Sequence, residues 1–200
     1  MLDKIYVALI HYPVYTKFGD IKTTAITNLD VHDIGRTCRT YNIKRYYVVN
    51  NLISQRSIVT TILNYWKKGK GGYLNPSRKE ALEYVCLKKY YEDVLEDIKE
   101  EEGAYPIVAT TSAKKWNMKK NYSYAEMADY VEKETKPILI LFGTGYGLAE
   151  EIIESSHILI EPIRKLGDYN HLSVRAAAAI SLDRIIGEKV AKGGNYASHN

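Results

Sequence analysis

The sequence predicts an α/β fold with a mostly parallel sheet and helices on both of its faces. Three observations carry that prediction. Short apolar runs alternate with amphipathic segments along the chain, the order that builds a sheet from strand–helix–strand units. The runs over 5–10, 137–142 and 158–160 are almost unbroken by polar residues, which suits strands covered on both sides. A hydrophobic fraction of 46% in 200 residues supplies a core of the size one globular domain needs.

The elements follow in order. Ile-Tyr-Val-Ala-Leu-Ile over 5–10 predicts the first strand. A polar stretch over 23–28 leads to Asp30, read as the N-cap of a helix whose apolar face is Val31, Ile34, Cys38 and Tyr41. Residues 46–49 predict the next strand, and 55–66 a helix from the spacing of Ile58, Ile62, Leu63 and Trp66. Residues 67–76 are basic and glycine-rich and read as a loop. Residues 77–102 read as one long amphipathic helix or two, with Ser77 and Glu80 as a capping box. Residues 106–111 predict a strand running into a small-residue loop, and 123–133 a helix capped by Ser123 and Glu126. A strand over 138–142, a helix over 149–154, a last strand over 158–160 and a long helix over 173–190 complete the pattern. The expected organisation is one domain over 1–192 and a flexible polar tail over 193–200.

Composition excludes several classes. No apolar run approaches the roughly 20 residues of a membrane span. The N-terminus lacks a signal peptide's apolar region, so the expected location is cytoplasmic. Cys38 and Cys86 fit neither a zinc pattern nor a disulfide framework, and no metal site is expected; both read as reduced, buried thiols. A net charge of +4 permits a nucleic-acid partner without requiring one. With 18 Tyr against 2 Phe, tyrosine must do most of the aromatic packing. Glu100-Glu101-Glu102 reads as a solvated helix end.

In an open α/β sheet, ligands bind beyond the carboxyl ends of the strands. Three such ends carry unusual chemistry: 110–114, 143–147 and 161–172. Gly143-Thr144-Gly145-Tyr146-Gly147 follows a strand, and its alternating glycines let a ligand approach the backbone. The spacing is neither the dinucleotide fingerprint nor a Walker loop, so a ligand loop and a tight structural turn both stand on the residues alone. Asp168-Tyr169-Asn170-His171-Leu172-Ser173-Val174-Arg175 opens the last helix. Asn170 or Asp168 would serve as its cap, yet the cluster holds more polar chemistry than a cap needs. A helix start also offers free N–H groups to a polar ligand.

These segments resemble, in order and over nearly the whole chain, three motifs of the SPOUT, or α/β-knot, methyltransferases. Arg36-Thr37-Cys38 matches the first, which often opens on Asn where Asp30 stands here. Gly143 and Gly147-Leu148 match the second, with Gly145 or Tyr146 in place of its glutamate. The third reads Ser-Leu-Asn-Val-Ser-Val-Ala-x-Ala in the wider superfamily and Tyr169-Asn170-His171-Leu172-Ser173-Val174-Arg175-Ala176-Ala177 here, with His171 at the Asn position. The Asp-Tyr-Asn-His-Leu-Ser-Val-Arg form is similar to that of a small bacterial group of S-adenosylmethionine-dependent RNA methyltransferases. That group in turn resembles a domain sometimes joined to tRNA guanine-N1 methyltransferases.

The resemblance implies a deep trefoil knot in the C-terminal part and a homodimer whose active site is completed across the interface. It implies S-adenosylmethionine bound in a bent form against Thr110, Thr111 and Ser112, against Leu141, Phe142, Gly143, Thr144, Gly145, Tyr146 and Gly147, and against Ile160, Glu161, Pro162, Ile163, Tyr169, Asn170, His171 and Leu172. Arg36, acting from the partner subunit, would contact a phosphate or assist deprotonation. His171 is a second catalytic candidate, because histidine titrates near neutral pH.

Ser173 reads as a hydrogen-bonding residue at a helix start rather than a nucleophile. His11, after the first strand, is placed near the same sheet edge. The expected partner is RNA, tRNA before rRNA, with methyl transfer to a base nitrogen or a ribose hydroxyl. Lys67, Lys68, Lys70 and Arg78 would grip phosphate around Tyr73, which is free to stack on a base. Arg175 would bind phosphate or an interface carboxylate, and Lys114, Lys115, Trp116, Lys119 and Lys120 would rim the cleft. Two other readings compete: a non-catalytic RNA-binding or assembly module of the same fold, and a nucleotide-dependent enzyme on a Rossmann sheet.

Overall fold

The computed structural model of the chain describes residues 4–117 and 119–187. Its centre is a sheet of seven strands: β1 (Ile5–Ile10), β4 (Arg45–Val49), β5 (Val85–Lys88), β6 (Ile107–Thr111), β7 (Asn121–Tyr122), β8 (Ile138–Gly143) and β9 (Ile158–Ile160). They lie in the order β5-β4-β1-β8-β6-β9-β7, and every pairing is parallel. Two short strands, β2 (Val14–Tyr15) and β3 (Ile21–Lys22), form a separate antiparallel ribbon.

The unbroken apolar runs are the central strands, as expected. All six residues of β1 are buried, and alternate side chains serve opposite layers. Ile5, Val7 and Leu9 meet Val31, Ile34 and Cys38 of α1 (Asn28–Thr40). The same layer holds α2 (Ile53–Lys67), α4 (Pro76–Glu83), α6 (Tyr124–Lys133) and α8 (Val174–Leu182), which runs into a π-helical turn at Asp183–Gly187. Tyr6, Ala8 and Ile10 face the other layer, where α5 (Tyr91–Glu102) and α7 (Glu150–Ser155) supply Val94, Ile98, Ile152 and Ile153. Fully burying one such aliphatic side chain contributes about 1.5–3 kcal/mol.

Several local expectations are corrected. Thr27, not Asp30, caps α1: its hydroxyl accepts from Asp30 N at 3.1 Å and donates to Asp30 Oδ2 at 2.6 Å. The basic glycine stretch is not an open loop. It folds into the short helix α3 (Lys70–Leu74), with Gly71 and Gly72 buried under Tyr65 and Trp66. The segment 77–102 is two helices with the edge strand β5 between them. Asn75 caps the first, through Arg78 N, in place of a Ser77 box. Cys86 therefore sits half-buried in a strand, facing Arg45, while Cys38 is fully buried. Glu101 and Glu102 are not a solvated end. Arg45 Nε and Nη2 donate to the two Glu101 oxygens at 2.7 and 3.1 Å, and Glu102 accepts from Tyr6 and Lys44.

Ser123 and Glu126 form the expected capping box on α6. Ser173, rather than Asn170 or Asp168, caps α8 by accepting from Ala176 N. The far end of the 173–190 helix and the 193–200 tail fall outside the described residues. Among the described residues, no helix is long and apolar enough to cross a membrane.

Candidate active site

A cavity of about 820 Å³ opens at the carboxyl ends of β6 and β8, and the 161–173 segment runs along one side of it. All three strand ends flagged in the sequence reach it: Thr111, Ser112 and Lys114 from the first, residues 143–147 from the second, and Ile163, Asn170, His171 and Leu172 from the third.

The glycine loop is held by the segment after β1. Thr144 N and Oγ1 both donate to Ile10 O, at 3.3 and 3.0 Å. Tyr146 N donates to Tyr15 O, and Tyr15 N to Gly147 O at 2.8 Å. The close approach explains the glycines. A Cβ on Gly145, at φ +60°, would stand 2.9 Å from Tyr15 O, and one on Gly143 would stand 2.8 Å from Leu148 Cγ. Behind the loop, Thr24 Oγ1 lies 2.5 Å from Thr144 Oγ1 and 3.0 Å from His11 Nδ1. The Thr144 hydroxyl donates to Ile10 O, so Thr24 donates to Thr144 and in turn accepts from His11. His11 is fully buried, and burial pushes its imidazole down to about 4, so it is neutral near pH 7. It supports the loop from behind and does not itself line the cavity.

The opposite wall is looser. Asn170 Nδ2 donates to Ala113 O at 3.1 Å, and Tyr169 lies edge-on to His171 with ring centroids 5.2 Å apart. Trp116 Nε1 donates to Ser112 Oγ at 3.1 Å, which sets the indole on the rim. Tyr124 and Ser181 share a hydrogen bond of 3.0 Å on the inner wall, and burial raises the Tyr124 phenol. Asp30 enters from the first turn of α1, opposite Arg175 of α8.

The remaining candidates fall elsewhere. Thr110 is buried against Ser156, and Leu141 and Ile160 are buried in their strands, so their side chains do not line the cavity. The Leu141 carbonyl accepts from Thr111 Oγ1 at 2.8 Å. Glu161, Pro162 and Tyr169 stand just beyond the wall, Glu161 beside Lys115 at 3.4 Å. Lys114 and Trp116 rim the cavity as expected, whereas Lys119 is bound to the carbonyls of Glu154 and Ser156 and Lys120 to Glu126. Arg36 is exposed on α1 and is not part of its own chain's cavity.

The Lys67 group lies at the other end of the sheet, beside the start of β5. Lys67 Nζ donates to Val85 O and Glu83 O there, Arg78 stacks on Trp66, and Tyr73 is 87% exposed. Sequence reasoning missed Tyr15, Thr24, Asp30, Tyr124 and Ser181 on the wall. Among these, only Asp30 carried a signal, as the odd residue at the head of the first motif.

The cavity suits a nucleoside-sized ligand, because its volume of about 820 Å³ is within the range of small-molecule sites. Backbone lies bare at the glycines, and Tyr146 and Trp116 offer ring faces. Among the described residues, no cluster of His, Cys, Asp or Glu has the arrangement of a metal site.

Comparison with known proteins identifies the family and the fold. A family model described as "SAM-dependent RNA methyltransferase" matches residues 4–187. An uncharacterized protein of Aquifex aeolicus is 38% identical over 92% of this chain and 88% of its own. A tRNA (guanine-N(1)-)-methyltransferase of Nitratidesulfovibrio vulgaris is 43% identical over 92% of this chain, which spans only 42% of that relative's length. Among solved structures, a probable methylase family protein from Haemophilus influenzae superposes with a TM-score of 0.64 at 15% identity, covering 96% of this chain and 67% of that one. The SpoU methyltransferase AviRb from Streptomyces viridochromogenes, in complex with AdoMet, gives 0.58 at 12% identity, covering 94% and 59%. These structural likenesses establish the shared fold.

Proposed function

The chain belongs to the family of S-adenosylmethionine-dependent RNA methyltransferases, and from that membership we propose that it methylates tRNA in the cytoplasm, as a homodimer with a knotted C-terminal part. The observation that carries the reading is the convergence on one cavity of three strand ends, two of which hold the second and third motifs. S-adenosylmethionine supplies an electrophilic methyl group on a sulfonium. The residues that would hold it are Thr111 and Ser112, the 143–147 loop, and Ile163, Asn170 and Leu172, with the glycines letting the nucleoside approach the backbone. The braced loop fixes the orientation of the methyl group, and orientation accounts for much of the rate in a direct transfer. His171, exposed at the mouth, meets the incoming nucleotide.

Arg36 is the reason for two subunits. It does not line its own cavity, so its role at a site requires a second copy. There the guanidinium grips a phosphate through its fork of N–H donors. Arg78 and Tyr73, with Lys68 and Lys70, make a second basic and aromatic surface for the RNA backbone at the far end of the sheet. Lys67 is withdrawn from that surface by its carbonyl bonds.

The test is transfer of labelled methyl to bulk tRNA and rRNA from a strain lacking the protein, alongside calorimetry with S-adenosylmethionine and its demethylated product. Binding of both, with label entering tRNA, is the expected result. No heat with either would sink the enzyme reading. Arg36→Ala and His171→Ala are each expected to bind cofactor and lose transfer. Mixed with each other, the two variants should recover activity that neither has alone; failure to do so would remove the shared-site dimer.

A further inference from the structure

The ribbon of β2 and β3 walls the cavity at its base and serves no packing at its tip. Tyr15, Thr24 and Ala25 line the cavity. Tyr15 N donates to Gly147 O, and Tyr15 O accepts from Tyr146 N, so the ribbon is bonded to the glycine loop. The tip, residues 16–20, lies beyond the wall and is a closed turn. Thr16 N donates to Asp20 O at 2.8 Å, Gly19 N to Thr16 O at 3.1 Å, and Phe18 N to Thr16 Oγ1 at 3.2 Å. Gly19 takes a left-handed φ of +87°. What this turn presents is Phe18. Of the two phenylalanines in the chain, Phe142 is buried in β8, whereas Phe18 is 79% exposed and belongs to neither core layer. Lys17 Nζ stands over its ring, 4.8 Å from the centroid. Lys22 is exposed on the other strand of the ribbon. Neither lysine is ion-paired among the described residues, and the tip sets one carboxylate, Asp20, against the two cations. Three residues of chain span at most about 11 Å, so Phe18 is within that reach of Tyr15 at the cavity.

We propose that the ribbon tip is an RNA-docking element, in which Phe18 stacks on an unpaired base beside the nucleotide in the cavity and Lys17 and Lys22 hold the flanking phosphates. This rests on the RNA methyl-transfer reading above and adds a contact outside the cavity, apart from the basic surface at the far end of the sheet. An aromatic ring flanked by cations is how proteins hold single-stranded RNA: the ring takes a base face, and the cations take the backbone. The closed turn holds the ring out before the strand arrives, so little order is lost on docking. A protein partner would ask for a broad apolar patch. Phe18 and the half-exposed Ile21 are too small for one, and the lysines beside them suit a polyanion.

The test compares wild type, Phe18→Ala, Phe18→Leu, Phe18→Trp and a double variant, Lys17→Gln with Lys22→Gln. Bulk tRNA and rRNA from a strain lacking the protein serve as substrate with methyl-labelled S-adenosylmethionine. Direct RNA binding over a salt series, cofactor affinity, melting and sedimentation are measured on the same preparations. Phe18→Ala is expected to raise the RNA Kd and KM about 5–150-fold, the worth of one stacked base. Its kcat at saturating RNA, cofactor affinity and melting should stay at wild type. Phe18→Trp should keep the wild-type Kd, and Phe18→Leu should behave as Phe18→Ala, because leucine is apolar without a ring face. The double variant should flatten the slope of log affinity against log salt by about 1.4, as two phosphate contacts on a single strand require. A wild-type RNA Kd in Phe18→Ala or in Phe18→Leu would overturn the stacking, and an unchanged salt slope would overturn the phosphate contacts. Loss of self-association in Phe18→Ala with RNA binding intact would give the ring to a second copy of the chain, and the proposal would fall. A wild type that binds RNA and cofactor yet transfers no label would overturn methyl transfer, while the binding series still decides the ribbon.

Discussion

The two long walls of the cavity are built in opposite ways. The 143–148 wall is tied by main-chain and hydroxyl bonds to 10–15 and to Thr24, and a buried neutral histidine stands behind it. The 161–173 wall has few ties among the described residues: Glu161 N to Tyr122 O and its carboxylate to Lys115, Asn170 to Ala113 O, a local Lys165 contact to Asp168 O, and at its end Ser173, which accepts from Ala176 N and Ala177 N. Residues 164–169 are all exposed. One wall is thus braced by the protein's own bonds, and the other is held by few of them; ordering such a segment on a ligand would cost about 1–2 kcal/mol of backbone entropy for each residue fixed. The contrast predicts preorganised orientation at the first wall and adaptability at the second.

The braced wall predicts the largest effect, through His11. Burial holds its folded pKa at about 4, below the ordinary value of 6.5. The unfolded chain therefore binds a proton as the pH drops below 6.5, while the folded chain does not until about 4. Stability is full above that window and falls as pH drops through it, by roughly 3 kcal/mol. Urea unfolding at about pH 7.5 and about pH 4.5 checks this against His11→Asn, which keeps a donor toward Thr24 but does not titrate. The variant is expected to lose less stability than the wild type by about that amount. Equal losses would mean that the wall is not supported by a neutral imidazole.

Gly145→Ala comes next. Its Cβ would meet Tyr15 O at 2.9 Å from a left-handed backbone, a strain of about 1–3 kcal/mol. The melting temperature should fall, and, on the proposed placement of the cofactor, its affinity with it, because the same backbone lines the cavity. A change in neither would make the loop a simple turn. Ser173→Ala tests the start of α8, where one wall becomes a helix. The lost cap bond to Ala176 N should cost about 1 kcal/mol in thermal unfolding, and no measurable loss would show that α8 is held by packing alone.

Legibility in the sequence follows the same division. The central strands could be read because burial on both faces leaves an unbroken apolar run, as in β1 and β8. β5 could not, because Val85, Cys86 and Leu87 continue the apolar spacing of α4 and a four-residue edge strand carries no period of its own. The 67–76 stretch misled for a physical reason: Gly71 and Gly72 mark close packing under Tyr65 and Trp66, not an open loop. The glycine loop and the Asn170–Leu172 cluster were visible as motifs. Thr24 and Tyr15 were not, because their place on the wall depends on a main-chain bond from Thr24 N to His11 O and on the ribbon pairing of β2 with β3. His11 was expected near the sheet edge, and its burial behind the loop could be known only from the fold.

The smallest effect on stability is expected at Tyr169, and it divides the two walls most cleanly. The side chain is 77% exposed, and its ring contact is the edge of His171. Removing an exposed side chain changes stability by no more than about 0.5 kcal/mol, so Tyr169→Ala should melt with the wild type. If the loose wall closes over the cofactor, the ring loses solvent only in the bound state, and its removal then weakens affinity without touching the free protein. A tenfold rise in Kd corresponds to about 1.4 kcal/mol, within reach of one aromatic ring. Calorimetry with S-adenosylmethionine, paired with hydrogen exchange over 161–173, distinguishes the cases. Weakened binding together with protection gained in that segment marks a wall that forms around its ligand. An unchanged Kd with no gain in protection would make the second wall as complete as the first, and its sparse bonding would then need a cause other than ligand-driven ordering.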